Sequence, residues 1–313
     1  MPYPLGMPDQ SNSLPERFAF IGFGEAAQAF LKGWRTVADV EAMAFDIKTD
    51  DAATRDDKLA DYRHDQVSGT DTAVDAVSGA NVVISAVTAA ASVDAARSVV
   101  PALGAGHLYF DINSCAPSKK RQSADMIAAT GAAYVDMAVM APVYPALHQT
   151  PLLIGGPGAK QAEDLLGRLE MKFEIVSDRV GDASTLKMVR SVMIKGIESL
   201  VSECIVAAVS EGIDDKILAS LEGTFPGMDW EKRSGYMLER MVRHGRRRAE
   251  EMREVAKTMD DLGIEGLMAT ATAERQQQVA DLNLLDEFDG EPPEDYRVLA
   301  EAILKARAAK GDA

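Results

Sequence analysis

A doubly wound, mostly parallel α/β sheet followed by an all-α domain is the fold class that three features of this sequence predict. From Arg17 to about Ser177, short β-rich runs alternate with helical stretches, the pattern of a parallel sheet covered by helices. The first apolar run, Phe18-Ala19-Phe20-Ile21, passes straight into Gly22-Phe23-Gly24-Glu25-Ala26-Ala27. Beyond Val180 the strand signal stops, and helical spacing of apolar residues continues to Glu211 without a proline. The 313 residues are enough for about two domains. We expect a flexible tail at 1–15, a dinucleotide-binding sheet domain at 16–179 and a helical domain at 180–313.

Taken in order, the first strand, 18–23, ends in a Gly-x-Gly-x-x-Ala turn of the Rossmann type. Gly22 suits a tight strand-to-helix turn, Gly24 lets the backbone approach a pyrophosphate, and Ala27 lets the new helix pack on the sheet. The helix start, with the main chain of Phe23, Glu25 and Ala26, offers N–H donors and a positive dipole end to phosphates. An ordinary glycine turn is the alternative reading. The second run, 42–47, carries Asp46, 24 residues after Gly22, where a ribose-binding carboxylate belongs. Its charge favours NAD over NADP, while Lys48 and Arg55 nearby temper that preference. The acidic stretch 48–65 reads as a loop plus helix. Run 81–87 ends beside Val87 and Thr88 on the cofactor side of the sheet. Runs 107–112, 133–140, 151–155 and 172–177 follow, with Ala-rich helices at 89–100 and 117–130.

The segment from Gly181 to Glu211 predicts one helix of about 30 residues, about 45 Å long. Leu186, Val189, Met193, Leu200 and Ile205 spread apolar character around much of its circumference, more than one flat layer covers. It is expected to be the spine of the second domain and to be buried against another subunit in a homodimer. The remainder continues helical, broken by Gly212, Pro226, Gly263 and an acidic loop from Asp286 to Pro293.

Composition narrows the function classes. A net charge of −16 argues against nucleic-acid binding, which needs clustered positive charge. Cys115 and Cys204 lie far apart and the four histidines are scattered, so neither a disulfide framework nor a metal site is expected. No window approaches the ~18 consecutive apolar residues of a membrane span. A reducing cytoplasm fits this cysteine usage.

Three segments carry candidate chemistry besides the glycine loop. After the run at 107–112, Asn113 and Ser114 stand at the C-terminal end of a strand, where ligands bind in doubly wound sheets. They offer an amide and a hydroxyl to a substrate, or cap the helix that Pro117 begins. At the start of the long helix, Lys187 interrupts an apolar pattern. Desolvation lowers a lysine pKa, as a general acid or base near neutrality requires; a lysine snorkelling to the surface is the alternative. Ser191 and Lys195 share its helical face. Finally, Arg240 to Arg248 holds five arginines in nine residues. Most suit a solvated face with pairs such as Arg246–Glu250 and Arg247–Glu251, with Arg247 a candidate to reach a substrate carboxylate. His244 is as readily a satisfied polar residue as a catalytic one.

Together these residues resemble the β-hydroxyacid dehydrogenase family, which includes 3-hydroxyisobutyrate and 6-phosphogluconate dehydrogenases. Ile21-Gly22-Phe23-Gly24 resembles its glycine motif, and Asp111-Ile112-Asn113-Ser114 with Pro117 its substrate motif. Asp136-Met137-Ala138-Val139 and Gly155-Gly156 resemble later segments, and Gly181 to Lys187 the element with the catalytic lysine. The His244 to Met252 run resembles a phosphogluconate-dehydrogenase-like branch carrying a domain of unknown function. Three positions depart from the pattern: Asn113 stands for a serine, and Arg190 and Ser191 stand for asparagines. The resemblance implies a dehydrogenase that binds NAD or NADP and a small anionic hydroxyacid, with Lys187 as general acid/base. It also implies substrate contacts from Asn113, Ser114, Arg190, Ser191 and Arg247. An imine reductase of the same plan and a non-catalytic nucleotide-binding regulator are the other readings.

Overall fold

The computed structural model describes residues 16–311; the tail expected at 1–15 lies outside them. The first half alternates as the runs predict: β1 (Glu16–Ile21), α1 (Glu25–Trp34), β2 (Val40–Phe45), α2 (Arg55–His64), β3 (Ser68–Gly69), α3 (Ala73–Val77), β4 (Val82–Ser85), α4 (Ser92–Val99), β5 (Leu108–Asp111), α5 (Pro117–Ala128), β6 (Ala133–Val139), β7 (Leu152–Gly155), α6 (Ala159–Arg168) and β8 (Phe173–Ser177). These strands form one eight-stranded sheet in the order β3-β2-β1-β4-β5-β6-β7-β8. All neighbours run parallel except β6 and β7. Six helices follow: α7 (Asp182–Ser210), α8 (Asp214–Thr224), α9 (Trp230–Asp261), α10 (Leu267–Ala280), α11 (Leu284–Glu287) and α12 (Tyr296–Lys310).

Central strands must be apolar on both faces when helices cover both sides. β1 meets that demand: Phe18 and Phe20 enter one core with Phe30, Trp34 and Leu165, while Ala19 and Ile21 enter the other with Val83, Tyr109 and Ile127. The ring of Phe18 stacks on Trp34 at 4.7 Å. A third core joins the C-terminal half of α7 to α9 and α12 through Val201, Ile205, Leu238, Leu299 and Ile303. A small fourth one, Met188, Met252, Val255, Ala269 and Ala273, packs the N-terminal half of α7 against α9 and α10.

The boundaries differ from the sequence reading where polar groups intervene. The second strand stops at Phe45 rather than 47, because the Asp46 side chain accepts from Lys48 N and starts a 3-10 turn. The helix expected at 89–100 begins only at Ser92 and tightens at Val100–Ala102 around Pro101. The expected acidic loop begins inside a short helix, α11. α7 follows the prediction closely, and Leu186, Val189, Met193 and Leu200 stand exposed along it. No described helix is long and apolar enough to cross a membrane.

Candidate functional site

The glycine loop has the geometry of a phosphate cradle. Gly22 has φ +82°, and a Cβ there would lie 2.5 Å from Ala86 O, so only glycine fits. A Cβ on Gly24 would meet nothing within 4 Å; the space before the first turn of α1 is open. No side chain caps that turn, which leaves its N–H groups for an anion. Glu25 is exposed, Ala26 half-buried and Ala27 buried. These features fit a dinucleotide pyrophosphate. The loop is clamped from both sides. Asp46 Oδ2 accepts from Phe23 N at 2.8 Å and Oδ1 from Lys48 N at 3.0 Å, while buried Lys58 donates to Phe23 O at 2.7 Å. Each Asp46 oxygen keeps a second lone pair for a ribose hydroxyl. Lys48 and Thr88 are exposed and Val87 is half-buried.

Asn113 differs from its expected role. It is buried, its Oδ1 accepts from Val87 N at 2.7 Å, and its Nδ2 donates to Ser85 Oγ at 2.9 Å. The amide ties the end of β4 to the end of β5, which engages one acceptor and one donor site of the side chain. Neither Asn113 nor Ser114 caps α5; that position is Ala116. Ser114 is the residue left facing the helical region, where Lys187 Nζ donates to its Oγ at 2.5 Å.

Lys187 lies one and a half turns into α7. Burial pulls its ammonium down to about 8; Glu251 opposes that shift, while Lys195, Lys120 and Arg247 add to it. Ser191 Oγ donates to Lys187 O at 2.9 Å and lies 3.4 Å from Lys195 Nζ. Ser191 therefore links the two lysines within the helix. Arg190 is exposed and enters no ion pair among the described residues.

The arginine run divides. Arg247, exposed, lies 3.7 Å from Glu251 as expected for an i,i+4 pair. Arg246 instead donates to Asn283 Oδ1 at 3.1 Å, correcting the expected partner Glu250. Arg248 is buried on Glu198, and Arg243 binds Glu239 and Glu291. Burial, with the surrounding arginines, drops His244 to about 4, leaving it neutral at pH 7.

Five residues escaped the sequence reading as site builders. Asp111 and Asp136 stand side by side in the β5–β6 register, and fully buried Lys120 pairs with both, at 2.8 and 3.5 Å. Asp136 Oδ2 also accepts from Gly181 N, Ser184 N and Ser184 Oγ at 3.0–3.1 Å, pinning the first turn of α7. An acid inside an apolar strand was the available signal. From α9, Glu254 accepts from Ala116 N at 2.8 Å and Lys119 Nζ at 2.6 Å, and Glu251 binds Lys195 at 3.0 Å. Their three-residue spacing looks like an ordinary solvated face.

Comparison with known proteins matches residues 17–171 to the NAD binding domain of 6-phosphogluconate dehydrogenase and residues 208–279 to a domain of unknown function, DUF1932. A conserved hypothetical protein from Sinorhizobium meliloti 1021 is 35% identical, with a TM-score of 0.72 over 94% of this chain and 97% of that one. Conserved protein MTH1747, described as structurally similar to 3-hydroxyacid dehydrogenases, is 29% identical, with a TM-score of 0.66 over 85% and 97%. An uncharacterised 28.5 kDa protein of Methanothermus fervidus is 27% identical over 168 residues, 53% of this chain and 63% of that protein. The chain thus spans less than two thirds of the length of that curated relative.

Proposed function

We propose, for a chain that belongs to the NAD-binding, 6-phosphogluconate dehydrogenase-like family, that it is an NAD(P)-dependent dehydrogenase acting on the CH–OH group of a small anionic hydroxyacid. The observation that carries this reading is the Lys187 ammonium on Ser114 Oγ at 2.5 Å, at the strand ends where doubly wound sheets bind ligands. A bound nicotinamide supplies the hydride acceptor at its C4. As the carbinol C–H bond breaks, neutral Lys187 takes the hydroxyl proton; in the reverse direction its ammonium returns that proton to the carbonyl oxygen. A lysine held at about 8 serves both directions near neutral pH. Ser114 accepts from Lys187 and turns its own O–H toward the substrate oxygen. Exposed Arg247 is the cation for the substrate carboxylate. Asp46 favours NAD through the ribose hydroxyls.

The test is Lys187→Met, assayed with a hydroxyacid panel under NAD and NADP, alongside a fluorescence titration with NADH and NADPH. Turnover is expected to fall by about 10²–10⁴-fold with coenzyme affinity unchanged. Retained turnover would refute the role given to Lys187. We also propose that a second copy of the chain covers the exposed apolar side chains of α7. Light scattering should then report a dimer for the native protein and a monomer for Met193→Asp; a native monomer refutes it.

A further inference from the structure

Phe23 sits between the two glycines of the loop and is held by three different elements. Its ring is fully buried, edge-on to Phe20 of β1 at 5.5 Å and to Tyr62 of α2 at 5.6 Å. Its N–H donates to Asp46 Oδ2, at the end of β2, at 2.8 Å. Its carbonyl accepts from Lys58 Nζ of α2 at 2.7 Å, a contact that spans 35 positions of sequence. Lys58 is buried and is itself held by Asp61, 2.5 Å away on the next turn. Tyr62 seats the same stretch of α2 against the sheet edge, where a Cβ on Gly69 would lie 2.6 Å from its ring. Bringing an amine out of water to reach a loop carbonyl costs free energy, which marks this contact out from ordinary helix packing.

We propose that Lys58 is a positioning residue for the coenzyme pyrophosphate: by holding the Phe23 carbonyl, it turns the Gly24 N–H outward as a phosphate donor. The Phe23–Gly24 peptide is planar and trans, so its C=O and N–H point in opposite directions. With the oxygen drawn toward α2, the hydrogen faces the other way. Gly24 N donates to no backbone carbonyl among the described residues. The space around Gly24 is open, since a Cβ there would meet nothing within 4 Å. Without such an anchor, a glycine-flanked peptide samples several orientations, and a donor that must first be ordered binds its acceptor more weakly. Asp46 fixes the preceding peptide in the same manner through Phe23 N. Two successive peptides of the cradle are thus set by side chains from outside it. The inference rests on the dinucleotide-binding part of the reading above and is independent of the proton-carrying role given to Lys187.

The experiment compares ligands with and without phosphate. NADH is titrated by fluorescence into the native protein and into Lys58→Met, and ADP and adenosine are then measured by their displacement of NADH. In Lys58→Met the dissociation constants of NADH and ADP should rise by about tenfold, while that of adenosine stays as in the native protein. Equal affinities of the two proteins for ADP overturn the proposal. So does a parallel loss for adenosine, which would make Lys58 a prop for α2 alone. If Lys58→Met does not fold, Lys58→Gln, uncharged and one bond shorter, goes through the same titrations with the same outcomes. Failure of both variants to fold also overturns it, by making Lys58 a residue of the fold rather than of the site. A native protein that binds neither NADH nor ADP refutes the dinucleotide reading itself, whereas native binding with an unmoved ADP constant refutes only the part given to Lys58.

Discussion

Two lysines flank the start of α7, and their surroundings have made opposite things of them. Lys120 is fully buried between Asp111 and Asp136. Desolvation is the largest single influence on it, but the two carboxylates together outweigh it and push its pKa up. Among the described residues Lys187 has only a serine hydroxyl within hydrogen-bonding reach, and burial prevails. Burial alone thus does not make a proton carrier. A carboxylate in direct contact locks the proton on, and a neutral hydroxyl leaves it exchangeable.

The sharpest way to break this comparison is Lys120→Met, which leaves two acids buried without their cation. Unfolding in urea should show a loss of about 3–5 kcal/mol, and a loss below 1 kcal/mol would mean that Lys120 is dispensable. Asp136→Asn should cost less, about 1–3 kcal/mol. It keeps an acceptor for the first turn of α7 but loses the charge facing Lys120 and the helix N-terminus. Protection of the Gly181 and Ser184 amides in hydrogen exchange should fall with it; unchanged protection would detach Asp136 from α7.

The smallest effect sharpens the contrast through pH. The Lys187 pKa is depressed in the folded state, about 8 against an ordinary 10.5. Its burial therefore costs stability while it is protonated, and that cost fades as pH rises from about 8 to 10.5. Lys187→Met should be slightly more stable than the native protein at pH 7, by no more than about 1 kcal/mol after solvent screening. The gain should vanish near pH 10.5. A variant less stable at pH 7 would show that Lys187 is a structural residue like Lys120.

What the sequence revealed and what it hid follow one division. Features that depend on local chain chemistry were legible: the Gly22–Ala27 turn, the apolar runs of the sheet and the length of α7 all follow from periodicity and glycine. Lys187 was visible as a cation interrupting an apolar pattern, while the role of general acid/base came from the family resemblance and not from the pattern. Features created only by long-range pairing were not. Asn113 looked like a ligand because nothing in the chain shows Ser85 and Val87 waiting for its amide. Asp111 and Asp136 offered the best missed clue. An acid ending one apolar strand and an acid inside the next, paired in register, demand a buried base between them, and Lys120 is three residues past Pro117.

The unbroken course of α7 has a mechanical consequence. Its 29 residues make a rod of about 44 Å, anchored by Asp136 at one end and carrying the helical core at the other. A rod without a hinge behaves as a lever, so a tilt of about 5° at the anchored turn carries its far end through about 4 Å. A tilt at that turn would thereby be felt at α12, which packs on the C-terminal half of α7.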